Sequence, residues 1–139
     1  MTDIRSFRNA CYEAARRTGG KVIEFRVADD VTPNFHQGLI AYRERTVAIA
    51  CTRDSAVLAL AEPRTIDFVD GVGESGPLTF VDAPELVAVL AALLPGSQVL
   101  TPPELNGPFD AATWPHISPD DITYWRPGTL GEALFHYWD

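Results

Sequence analysis

Residues 71–76, Gly71-Val72-Gly73-Glu74-Ser75-Gly76, have the G-x-G-x-x-G spacing that cradles a dinucleotide pyrophosphate. That chemistry needs a helix directly after the last glycine, so that backbone N–H groups and the helix dipole face the phosphates. Here Pro77-Leu78-Thr79-Phe80-Val81 follows, a strand composition, and Asp70 and Glu74 would repel the anion. The stretch reads as a hairpin loop. Gly19-Gly20-Lys21 lacks the upstream glycine and the Ser or Thr of a phosphate-binding loop, and reads as a helix stop. His36, His116 and His136 are far apart, with none in an H-x-H or H-E-x-x-H pair. Cys11 lies on the apolar face of a helix pattern and Cys51 in an apolar strand pattern, where a thiolate nucleophile is disfavoured. Asp29-Asp30 and Asp120-Asp121 are adjacent carboxylates, whereas a general acid–base pair must face across a cleft. The sequence therefore points to no catalytic residue, cofactor or metal, and the expectation is a protein that is not an enzyme. The enzyme alternative requires a pocket where a His or Cys converges with carboxylates.

What remains is charge and aromatic content. The net charge is -8. Residues 1–64 are slightly basic, whereas residues 65–139 hold eleven carboxylates and a single cation, Arg126. Such asymmetry bears on partners rather than on fold. It argues against nucleic acid and against anionic membranes, and it suits a basic protein partner. The acidic loop residues Asp70, Glu74, Glu104, Asp110, Asp120 and Asp121 are the candidate binding residues, and Trp114, in an irregular stretch, is the candidate aromatic anchor. Tyr124, Trp125, Phe135, Tyr137 and Trp138 have core spacing with Leu130 and Leu134. Arg126 is expected to pair with Asp120 or Asp121.

The elements that must position these residues follow from periodicity. Residues 3–18 form a helix with an apolar stripe of Ile4, Phe7, Cys11 and Ala14, Arg16 and Arg17 in its last turn, and Gly19-Gly20 as its stop. Residues 21–28 alternate as a half-buried strand, with Val22, Glu24 and Arg26 on one face and Ile23, Phe25 and Val27 on the other. Residues 29–38 read as a loop around Pro33. Residues 39–42 and 46–52 make a hairpin with Arg43-Glu44-Arg45 at its tip, and residues 57–61 a further strand. Residues 65–69 and 78–81 flank the glycine-rich loop as strands. Residues 82–94 form a helix that is apolar on most sides, with Asp82 as cap and Glu85 as its capping-box partner. Residues 99–100 add a short strand. Residues 101–121 carry five prolines and read as an irregular wrap. Pro127-Gly128 suits a type II turn, and Thr129 with Glu132 caps a final helix.

No apolar run approaches the roughly 18 to 20 residues that span a bilayer. The N-terminus has no signal-peptide pattern, so both cysteines are expected to be reduced and the protein cytoplasmic. The whole, residues 1–139, reads as a single α+β domain: an antiparallel sheet of about five or six strands with N-terminal, central and C-terminal helices packed on it.

The tail Tyr124-Trp125-Arg126-Pro127-Gly128-Thr129-Leu130-Gly131-Glu132, with Phe135 and a closing Trp138-Asp139, resembles the ending of short bacterial proteins of the immunity type, which accompany polymorphic toxins. The resemblance covers about the last eighteen residues and assigns no functional residue. It implies a cytoplasmic protein that binds and blocks a toxin domain. Charge points the same way independently, because toxins that attack nucleic acids are basic where they hold phosphate. Another small protein-interaction module is the alternative, and an acidic half can also serve solubility alone.

Overall fold

The computed structural model describes residues 4–26, 35–52, 57–63, 79–110, 112–114, 117 and 119–135, less the side chains of 121, 124 and 125. Within these the order is α1 (Ile4–Thr18), β1 (Lys21–Arg26), β2 (Phe35–Ala41), β3 (Thr46–Thr52), β4 (Val57–Ala61), α2 (Pro84–Leu93), β5 (Gln98–Val99), α3 (Pro102–Leu105), α4 (Pro119–Trp125) and α5 (Leu130–Leu134). The expected α+β class holds. The sheet has five strands in sequence order. Strands β1 to β4 form the antiparallel meander, and β5 joins β4 in parallel, so the sheet is mixed. The parallel partner follows from topology: α2 carries the chain back across the sheet before β5 begins.

Strand periodicity divides the core in two. His36, Gly38 and Ile40 point to one face of the sheet with Val47, Ile49, Cys51, Leu58 and Leu60. There they meet Phe7, Cys11, Ala14 and Ala15 of α1 and Leu86 and Leu90 of α2. Phe35, Ala50, Val57, Ala59 and Ala61 point to the other face, covered by Leu105 of α3 and by Leu130, Leu134 and Phe135 of and beside α5. Gly38 lets α1 approach, because a Cβ there would lie 2.8 Å from the Cys11 sulfur. In α1 both Arg16 and Arg17 pair with Glu13, and the hydrogen bond from Arg16, then that from Arg17, hold its carboxyl below the usual range.

Several expectations are corrected. The alternation of β1 is broken by a bulge between Val22 and Glu24. Val22 and Phe25 therefore share the α1 face, and Ile23 is extruded, 54% exposed. The expected loop at 29–38 ends earlier, because Phe35 already pairs with Thr52. Of the expected strand at 78–81 the structure keeps one bridge, Ala61 to Phe80, on the edge of β4 beyond β5. Strand 65–69 and the glycine-rich loop lie outside the described residues. Asp82 does not cap α2: the cap position is Ala83, with no side-chain bond. Only Leu86 and Leu90 of α2 are fully buried, so it lies on the sheet by one face rather than being enclosed.

The proline-rich stretch is also more regular than expected. Thr101-Pro102-Pro103-Glu104 is a helix start, with a Glu104 carboxylate oxygen accepting from the Thr101 N–H at 3.1 Å and from its hydroxyl at 2.9 Å. Pro119 is likewise a proline in the first turn of a helix, α4. Pro127-Gly128 forms no type II turn, since Gly128 lacks the positive φ that such a turn requires there. Arg126 takes the left-handed conformation instead (φ 49°), ending α4 with its N–H on the Ile122 carbonyl at 3.0 Å. The Thr129 cap is as expected: its hydroxyl accepts from the Glu132 N–H at 3.2 Å, and the Glu132 carboxylate accepts from the Gly128 N–H at 2.8 Å.

Candidate functional site

The acidic candidates fall into three groups. Asp70 and Glu74 lie outside the described residues. Glu104 and Asp110 are exposed but locally engaged, Glu104 in its capping box and Asp110 accepting from the Ala112 N–H at 3.1 Å and the Thr113 hydroxyl at 3.0 Å. Asp120 is exposed in the first turn of α4, and Asp121 follows it with its side chain outside the described set. Trp114 is partly buried against the second core together with Phe109 and Ile117, so its ring is shared between core and surface. Arg126 is exposed and forms no ion pair with Asp120.

The sheet sorts these charges by face. Pro108 bridges to Thr129, and the Leu130 N–H donates to the Gly107 carbonyl at 3.0 Å, which ties α3 and the Asp110 segment to α5. This cap over the second core, made of α3, the segment to Asp110 and α5, carries Glu104, Asp110 and Glu132 and no cation among the described side chains. On the opposite face α1 carries four arginines, Arg5, Arg8, Arg16 and Arg17, against Glu13. α2, from the acidic half, packs beside α1 and adds Glu85 to that face, so the charge difference between the faces does not simply reproduce the two halves.

The described His and Cys side chains, His36, Cys11 and Cys51, are buried against the sheet rather than set in a cleft. No group of three His, Cys, Asp or Glu side chains has metal-holding geometry there. His36 is buried in β2 directly opposite Cys51, and His116 and His136 lie outside the described residues. Neither cysteine is in a disulfide, and both are buried. Burial, and secondarily the neighbouring Cys51, push the Cys11 thiol up to about 12, the reverse of what a nucleophile needs.

A cleft of about 620 Å³ opens where the β2–β3 hairpin tip meets the start of α2 and the end of α1. One wall is Arg43-Glu44-Arg45, and the other is Asp82 to Leu86. Three contacts set the gap. The Tyr42 N–H donates to the Arg45 carbonyl at 2.8 Å. Arg45 donates from Nη2 to the Asp82 carbonyl at 3.2 Å. The Tyr42 and Thr18 hydroxyls lie 2.7 Å apart at the back. The sequence shows each wall separately, as a charged hairpin tip and a helix start. Their juxtaposition was not legible, because only the completed sheet brings residues 43–45 beside residues 82–86.

No family model matches the chain, and neither the curated proteins nor the solved structures include a significant match to it.

Proposed function

We propose that this chain is an acidic protein-binding domain of the immunity type, which holds and neutralises a basic toxin domain in the cytoplasm. The observation that supports the reading is the acidic cap over the second core, which carries Glu104, Asp110 and Glu132 and no described cation. A face of one sign speeds encounter with a partner of the other, and partly exposed aromatics beside it supply contact area once the partner is seated. Trp114 on the second core is the described residue that fits that second part. No helix among the described residues is long and apolar enough to cross a membrane.

The test is growth rescue in a bacterial host. A toxin domain encoded beside this chain's gene is induced with and without the chain, and the pair is then purified together. Rescue with a stable complex is expected. In that complex the combined Glu104→Gln, Asp110→Asn and Asp120→Asn variant, which keeps the local caps, is expected to associate about tenfold more slowly at low salt. A neighbouring toxin that binds nothing and kills regardless overturns the reading, and so does an association rate that ignores both salt and the triple variant.

A further inference from the structure

The cleft between the hairpin tip and α2 carries charges of both signs that do not neutralise each other. Arg43, Glu44, Asp82 and Glu85 line it, and none of them makes an ion pair among the described residues. Arg45 is used for another purpose, bonding the Asp82 carbonyl and so fixing one wall to the other. Two acidic side chains thus stand on the α2 wall, and the hairpin wall presents the unengaged Arg43 guanidinium with Glu44 next to it in sequence. Between the charges the lining includes apolar surface, with Leu86 2% exposed and Ala83 and the Tyr42 ring half-buried. No His or Cys lines the cleft.

A ligand of a single charge would leave either Arg43 or the carboxylates without a partner. A ligand carrying both charges on a short carbon frame satisfies both and covers the apolar lining. The volume falls in the range of small-molecule sites, and the three contacts that hold the walls reduce the ordering cost of binding. We propose that this cleft binds a small zwitterion of the amino-acid or dipeptide class, its carboxylate on Arg43 and its ammonium between Asp82 and Glu85. This site stands apart from the acidic cap and does not rest on the toxin-binding reading.

The experiment titrates the whole ¹⁵N-labelled chain at low salt with free alanyl-leucine, with its N-acetyl form, with its C-terminal amide, and with the doubly blocked peptide. Saturable shifts confined to backbone amides within residues 42–45 and 82–86 are expected from the free dipeptide. Each single block is expected to weaken binding roughly tenfold, the scale of one charged hydrogen bond. Arg43→Ala and Glu85→Gln, both exposed positions, are expected to weaken it by a similar factor while the remaining spectrum stays in place. No shifts at millimolar dipeptide would overturn the proposal. Equal shifts from the doubly blocked peptide would also overturn it, because they would make the cleft a docking groove for a protein segment. Undiminished affinity in both variants would remove the assigned charges.

Discussion

At the scale of single residues, the buried thiol of Cys11 makes a prediction with a definite sign. Its folded pKa is about 12 against an ordinary 9.0, because burial penalises the thiolate. Below pH 9.0 the thiol is protonated in both states and contributes no pH dependence. Above it the unfolded chain loses the proton while the folded chain keeps it, so stability falls by up to about 1.4 kcal/mol per pH unit until the folded thiol titrates. Chemical denaturation between pH 8 and 11 should show that decline, and Cys11→Ala should flatten it. A slope identical in the variant would mean that other groups carry the alkaline transition. The sequence already placed Cys11 on the buried stripe of its helix. It did not show Cys51 beside it, nor that Gly38 is the strand position where the sulfur rests.

At the scale of elements, the bulge in β1 separates two residues that alternation had placed together. Ile23 is extruded, whereas Phe25 packs on Phe7 and Tyr12, with ring centroids 6.4 and 5.5 Å apart, and lies under the Arg8 guanidinium. Ile23→Thr should therefore change stability by no more than about 0.5 kcal/mol, while Phe25→Ala should cost about 2 kcal/mol or more. Equilibrium unfolding of the two variants decides the matter, and equal losses would mean that the strand keeps a regular pleat. Periodic elements were legible where one pattern ran uninterrupted, as in α1, β3 and β4, whereas the first half of β2, residues 35–38, reads as loop. They were not legible where a single inserted residue reset the pleat. Nor were they where prolines stood at helix starts, as in Thr101-Pro102-Pro103-Glu104, and were taken as breakers. The Thr129 cap was readable because its partner Glu132 lies three residues away; the three contacts of the cleft are set by topology and had no local signal.

At the scale of the whole molecule, β3 lies at the centre of the sheet with both faces covered, Val47, Ile49 and Cys51 under α1 and α2 and Ala50 on the cap side. β1 is at the edge, bulged and partly exposed. Stability should be distributed accordingly. Hydrogen exchange should find the amides of Val47–Thr52 opening only with global unfolding, and those of Lys21–Arg26 opening at markedly lower free energy. Equal protection of the two strands would contradict this division. The same layering places the acidic cap and the arginine-bearing helix on opposite sides, so a partner drawn to one would not cover the other. In sequence the charge asymmetry was plain, but it did not show that the second half covers both faces, with α2 beside α1 and with α3 and α5 opposite.

The parallel pairing of β4 with β5 bears on the order in which the chain folds. The contacts of the meander are close in sequence, with turns such as Tyr42 to Arg45 joining neighbours, and these close quickly. Joining Leu58 to Val99 closes a loop of some forty residues, a step that pays its entropy before any contact returns it. Until that closure, Ile40, Ile49 and Leu60 lack Leu86 and Leu90, and Phe35 lacks Phe135. A chain emerging from the ribosome would therefore present a paired sheet with neither surface fully covered, and its first half would depend on the arrival of its second to keep from associating with its neighbours.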